Sequence, residues 1–346
     1  MKKREITIAG RLVGENHKPL VIAEIGINHN GEFQKAVRMI EDAARAGCEC
    51  VKLQCHIVDD EMIYNEVIPE NATESIWQMM RRCAIDESQE QKLKAHVENK
   101  GMIFLSTPFS RAAVDRLEAM GVLAYKIGSG ECNNLPLVDY IASFGKPIIL
   151  STGMNDLDSV IRSVAILEKH GVAYALLHCT SIYPTPFDKV RLGAMVEMMN
   201  RFPLAPVGIS DHSMGNYACF GAVALGASIL EKHFTSDKIW PGSDISISIN
   251  PEELKDLIRG TEAIYLARGG SKEVLEGEAP CIAFAFSCVV TTRFVYAGET
   301  FGPDNVWVKR PGTGEILAAD YKNVLGQKAV RDLKKDTQLS WKDVTT

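Results

Sequence analysis

The sequence predicts a TIM-type (β/α)8 barrel followed by a small β-rich domain. The first observation is a run count. Eight times along the first 234 residues a short apolar run ends in polar or ionisable residues: PLVIAEIG, CVKLQC, MIFLST, LAYKIGSG, KPIILST, AYALLHC, PVGISDH and SILEKHF. The second is that helix-like stretches separate most of these runs, and long strand–helix alternation favours a parallel sheet. The third is an absence after the first run. The loop GINHNGE holds no GxGxxG, and the chain holds no GxxxxGK[ST], so neither an open dinucleotide fold nor a P-loop is expected.

Taken in order, EITIAGRLVG reads as a hairpin plugging the barrel floor. Phe33 to Ala46 places Val37, Ile40 and Ala44 on one helical face, and Gly47 stops the helix. Residues 57–86 are a long insertion after the second strand, on the rim where the C-terminal strand ends gather. The stretches 133–144, 157–168, 190–199 and 216–225 repeat the helical period. Asn250 and Pro251 open another helix, running to Leu266, as N-cap and first-turn proline. The expected division is a barrel over 1–268, a linker over 269–285 and a β-rich domain over 286–346, whose strands are punctuated by Gly, Pro and Asn.

Composition excludes several classes. At 46% hydrophobic and 24% charged the chain is an ordinary globular one, and a net charge of −6 gives no nucleic-acid or acidic-membrane footprint. Nine cysteines, odd in number and irregular in spacing, point to free thiols in a reducing compartment. Charge and glycine interrupt MKKREITIAG, so it is not read as a signal peptide, and no run is long enough to span a bilayer. The expected location is the cytoplasm.

The strand tips carry three kinds of chemistry. His212 and His233 end the seventh and eighth runs, neighbours in a closed barrel, and two imidazoles there suit one divalent cation with open positions for substrate or water. His178 ends the sixth run, so the sequence alone permits a three-histidine site; the plainer alternative is hydrogen-bonded histidines without metal. Lys52, Lys126, Ser129, Ser151 and Ser210 form a cationic and hydroxylic set suited to phosphate or carboxylate. The alternatives are lysines paired to Glu24 and Glu131, or a Schiff-base Lys126. Glu24, Gln54, Glu131 and Asp244 form an acidic and amide set suited to polyol recognition and proton transfer.

The chain resembles the sialic acid synthases over almost its whole length. The resemblance rests on AEIGINHNG at Glu24, VKLQCHIVDDEM at Lys52, STPFSRAA at Ser106, YKIGSGECNN at Lys126, ILSTGMN at Ser151, LLHCTSIYPTP at His178, GISDHS at His212 and LEKHFT at His233. The tail, with NVWVKRPG, is similar to that family's antifreeze-like (SAF) domain. The family joins phosphoenolpyruvate to N-acetylmannosamine, giving N-acetylneuraminate and phosphate, on a TIM barrel followed by the small domain.

The resemblance implies roles that spacing does not. His212 and His233 match metal-binding histidines, with Mn²⁺ the usual ion and Mg²⁺ or Co²⁺ the alternatives. Lys52, Lys126, Ser129, Ser151, Ser181 and Ser210 match positions around phosphoenolpyruvate. Gln54, Asn71, Glu131, Tyr183 and Asp244 match positions around the amino sugar, as does Phe284 more loosely. Arg310 matches an arginine reaching the sugar pocket of the other subunit, which implies a domain-swapped homodimer. Glu24 is the group expected to orient or deprotonate the attacking water. Ser181 stands where several relatives have asparagine, and Ile245 where many have histidine. Competing readings are an acceptor leading to legionaminic or pseudaminic acid, an aldolase using Lys126, and an inactive sugar-binding barrel.

Overall fold

The structure, a computed structural model, describes residues 4–69 and 72–345. The chain divides into two compact units, 1–269 and 270–346. In the first, β1 (Glu5–Ile8) and β2 (Arg11–Gly14) form an antiparallel hairpin. Eight strands then follow: β3 (Leu20–Gly26), β4 (Cys50–Cys55), β5 (Ile103–Pro108), β6 (Tyr125–Ile127), β7 (Ile148–Ser151), β8 (Tyr174–Cys179), β9 (Val207–Asp211) and β10 (Ile229–His233). They ladder in the order β5-β4-β3-β10-β9-β8-β7-β6, and β5 packs beside β6 without a ladder. The result is a nearly closed parallel barrel.

Alternation along each strand separates two layers. Ile22, Cys50, Leu105, Ile149, Leu177 and Ile229 fill the interior, and Ile6, Ile8 and Val13 of the hairpin join that cluster. The hairpin therefore closes the barrel floor, as the sequence predicted. Outward residues such as Val51, Leu53, Leu150 and Leu230 pack against the helices.

The helical stretches begin with α1 (Phe33–Ala46), which ends at the left-handed Gly47, φ +85°. Its most buried face is Ala36, Met39, Ile40 and Ala43, with the predicted Val37 and Ala44 on the flank. The insertion carries α2 (Val58–Glu61) and α3 (Ile76–Cys83). Ser75 and Gln78 cap α3 reciprocally, and Met79 and Met80 pack on Ile27 and Val58. Around the barrel follow α4 (Glu87–Asn99), α5 (Arg111–Ala119), α6 (Leu135–Ala142), α7 (Leu157–His170), α8 (Phe187–Val190), α9 (Leu192–Arg201), α10 (Tyr217–Ala224) and α11 (Pro251–Ala267). The predicted helix over 190–199 is broken at its start, because Arg191 takes a left-handed conformation between α8 and α9. Among the described residues no helix is long and apolar enough to cross a membrane.

In the second unit, the stretch read as a linker carries a helical turn and α12 (Ala279–Ala285). Beyond it, β11 (Cys288–Thr291) pairs antiparallel with β12 (Val306–Lys309), and α13 spans Tyr321–Val324. Val289, Val295, Phe301, Val306 and Leu339 belong to its own core.

Candidate active site

The inward residues at the upper ends of the strands enclose a well of 170 Å³. Lys52 Nζ lies 3.2 Å from Glu24 Oε2 and 3.5 Å from Glu231 Oε1, and Lys126 Nζ lies 3.6 Å from the same Glu231 oxygen. All four side chains are buried, so two ammonium groups and two carboxylates compensate one another out of water. Lys126 also donates to Ser151 Oγ at 2.7 Å, and Ser210 Oγ donates to Glu231 at 3.0 Å.

The neighbours set the ionisation of each group. Burial pushes Glu24 up to about 7, against the pull of Lys52. Burial pushes Lys126 down to about 8, only partly opposed by Glu231. Burial would lower Lys52 too, yet Glu231 and Glu24 together carry it above its ordinary value. Glu231 is held below the usual carboxylate range because Lys126 and Lys52 outweigh its burial.

One glycine shapes the wall. A Cβ on Gly153 would come within 3.0 Å of Cys179 Sγ and closer still to the hydroxyls of Ser129 and Ser181. Its N–H donates to Ser129 Oγ at 3.0 Å. Without a side chain at 153, the two serines can lie close to the same backbone.

An outer chamber of 470 Å³ adjoins the well, and Gln54, Ser181, Tyr183 and His233 line both. Asp244 borders it beside an apolar wall that includes Ile27, Ile76, Met79 and Met80. Tyr183 packs over His212 with ring centroids 4.2 Å apart. The insertion thus supplies one side of the chamber. Asn71 lies outside the described residues. Phe284 and Arg310 belong to the second unit, where the guanidinium carbon sits 5.7 Å from the phenyl centroid.

His212 and His233 stand at the lip with ring centroids 5.3 Å apart. His212 Nδ1 donates to the Thr180 carbonyl at 3.0 Å, which orients the ring and leaves Nε2 out of that bond. His233 Nδ1 is buried with no hydrogen-bond partner among the described residues, 3.7 Å from Asp244 Oδ2. Burial above all holds His233 well below the ordinary imidazole value, which keeps it neutral with a lone pair available. Two oriented imidazoles fit a divalent ion whose other positions are left to water or substrate. No cluster of three or more His, Cys, Asp or Glu side chains among the described residues forms a fuller cage.

Two expectations need correction. His178 faces out of the barrel, because Ala175 and Leu177 face in; its Nε2 meets the Val190 carbonyl at 2.7 Å, which removes the three-histidine site. Among the described residues Glu131 pairs with no lysine: its carboxylate accepts from Asn134 at 2.7 Å. The second carboxylate is Glu231, which sequence reasoning missed. Counting back two residues from His233 along the same strand face would have found it.

Two profile matches decide the family. Residues 39–273 match the NeuB family and residues 286–345 match the SAF domain. The chain belongs to the NeuB family. Its relatives include the N,N'-diacetyllegionaminic acid synthase of Campylobacter jejuni, 38% identical over 92% of this chain and 98% of that one. The N-acetylneuraminate-9-phosphate synthase of Mus musculus is 31% identical over 94% and 93% of the two chains. Among solved structures, an N-acetylneuraminic acid (sialic acid) synthetase from Leptospira borgpetersenii, in complex with citrate, superposes with a TM-score of 0.74. That chain is 32% identical, and the match covers 81% of this chain and 95% of that one. This NeuB-family chain is therefore an enzyme of the sialic-type, or nonulosonic acid, synthases. The matched relatives differ in product, so membership leaves the acceptor sugar to be argued from the pocket.

Proposed function

We propose that the chain condenses phosphoenolpyruvate with N-acetylmannosamine and water, releasing N-acetylneuraminate and phosphate. The observation that carries this reading is that two ammonium groups, Lys52 and Lys126, and two imidazoles, His212 and His233, line one well. Phosphate and carboxylate of the enol ester bind the two lysines, with Ser129, Ser151, Ser181 and Ser210 supplying hydroxyls. The acceptor occupies the outer chamber against Gln54, Tyr183 and Asp244. Asn71 and Glu131, with Phe284 and with Arg310 of a partner subunit in a domain-swapped homodimer, complete its recognition.

A bond forms between the methylene carbon of phosphoenolpyruvate and the aldehyde carbon of the open-chain sugar, whose oxygen takes a proton. Water adds at the enol carbon, and the C–O bond to phosphate breaks. A divalent ion on His212 and His233, Mn²⁺ by preference, would supply Lewis-acid polarisation of the aldehyde. Glu24, with its carboxyl held by Lys52 and Gln54, orients that water and accepts its proton. Confining both substrates in adjoining cavities removes much of the bimolecular entropy barrier.

A second reading changes only the acceptor. The apolar wall of Ile27, Ile76, Met79 and Met80 suits a sugar with fewer hydroxyls and a second acetamido group. The Campylobacter relative, named for diacetyllegionaminic acid, points the same way. Phosphate release is measured with phosphoenolpyruvate and each acetamido sugar in turn, with and without EDTA, and products are weighed by mass spectrometry. No phosphate with any acceptor and metal would end the synthase reading; phosphate with the diacetamido sugar alone would select the second.

A further inference from the structure

We propose that His56 and Glu61 are positioning residues that lock the Gln54 amide, and through it the carboxyl of Glu24, in a single orientation. The inference rests on the synthase reading for its meaning but on hydrogen bonds for its content. Gln54 Nε2 lies 2.8 Å from Glu24 Oε1, Gln54 Oε1 lies 3.0 Å from His56 Nε2, and His56 Nδ1 lies 2.8 Å from Glu61 Oε2. Four side chains thus form one unbroken line running from the well to α2.

The line has a direction. In its ionised, proton-accepting form Glu24 only accepts, so the Gln54 amide donates to it and the amide oxygen faces His56. That oxygen in turn requires a proton on His56 Nε2. His56 Nδ1 then shares a proton with the Glu61 carboxyl, which fixes the ring by its far side. Turning the Gln54 amide over would set its oxygen against the Glu24 carboxylate and its N–H₂ against an N–H.

The surroundings hold the chain still. The His56 ring stacks on Phe109 with centroids 4.5 Å apart and planes 13° from parallel. His56 and Glu61 side chains are 3% and 9% exposed, so water does not compete for their polar atoms. Asp60, beside Glu61, accepts from the Ala112 N–H at 2.9 Å and ties α2 to the start of α5. Lys52 meets the other oxygen of Glu24 at 3.2 Å. With each oxygen engaged by a different residue of β4, the carboxyl plane of Glu24 is defined. The segment HIVDDEM supplies both outer members, which explains a motif the substrate contacts leave unused.

The test combines kinetics with spectroscopy. Glu61→Leu and His56→Phe, the latter keeping the stack on Phe109, should each lower kcat by about 10-fold or more while the phosphoenolpyruvate KM stays within about twofold. Glu61→Gln should hold kcat within about threefold, because its amide can donate to His56 Nδ1 and preserve the direction. In a Gln54→Leu background, Glu61→Leu should cost about nothing further, since the path is already cut. Spectra of ¹⁵N-histidine protein, with His56 assigned by its loss in His56→Phe, should show Nε2 protonated in the parent and mixed tautomers in Glu61→Leu. Mixed tautomers in the parent, a Glu61→Leu kcat within about twofold of the parent, or losses that multiply in the double variant would each overturn the proposal. The spectra judge the chain of hydrogen bonds even if the parent releases no phosphate, an outcome that would count against the synthase reading alone.

Discussion

Raising the pH should weaken phosphoenolpyruvate through Lys126 before any other lysine. Lys52 faces two carboxylate oxygens, at 3.2 and 3.5 Å, and is held above its ordinary value. Among the described residues Lys126 has one carboxylate within 4 Å, Glu231 at 3.6 Å, so its burial prevails and pushes it down to about 8. The sign follows directly: the ammonium is present below that value and is lost as pH rises through it. At pH 9.5 about 3% of Lys126 stays protonated, so a ligand that needs the cation should show a KM about 30-fold higher than at pH 7, equivalent to about 2 kcal/mol. The assay is phosphate release against phosphoenolpyruvate concentration at steps between pH 7 and 9.5, with the acceptor saturating. Lys126→Arg, whose guanidinium stays charged throughout, should flatten the profile. A parent KM unchanged to pH 9.5 would refute the assignment of Lys126 to the anion.

Three further outcomes are expected. His233→Ala should remove divalent-ion binding measured by calorimetry and abolish metal-dependent turnover with the fold retained by circular dichroism; full activity would remove the metal assignment. Lys232→Met should destabilise the protein by about 3–5 kcal/mol in urea titration, because it strands the buried Asp211 carboxylate that Lys232 meets at 2.6 Å. A loss under about 1 kcal/mol would show that the site relaxes around the orphaned charge. Arg310→Ala should raise the KM for the acceptor at least about fivefold, about 1 kcal/mol, and leave that for phosphoenolpyruvate alone. Equal shifts in both would contradict a role in the sugar pocket.

Strand order and the rim were legible because a parallel barrel leaves a repeated signal, an apolar run with chemistry at its end. Facing was less legible. His178, Ser106 and Lys126 all end such runs, yet only Lys126 points inward; Ser106 turns out to Glu90 at 3.3 Å. Period-two alternation carries that information once one inward residue is known, as Leu177 shows for Cys179 and His233 for Glu231. Of the partners of the buried lysines, Glu24 was legible and Glu231 was missed. The lysines pair with Glu231 rather than Glu131, because pairing follows barrel geometry and not sequence distance. The helices α2 and α3 in the insertion escaped notice because their apolar faces are short. Ser75 and Gln78, a cap pair at spacing three, were the readable sign of α3.

The hairpin under the barrel has a consequence for traffic. With Ile6, Ile8 and Val13 seated below the inner strand layer, the described residues stopper the lower mouth with hydrocarbon. That leaves the rim as the side from which polar molecules enter and leave the well. In the proposed condensation, phosphate and the sugar product would share that rim as their exit.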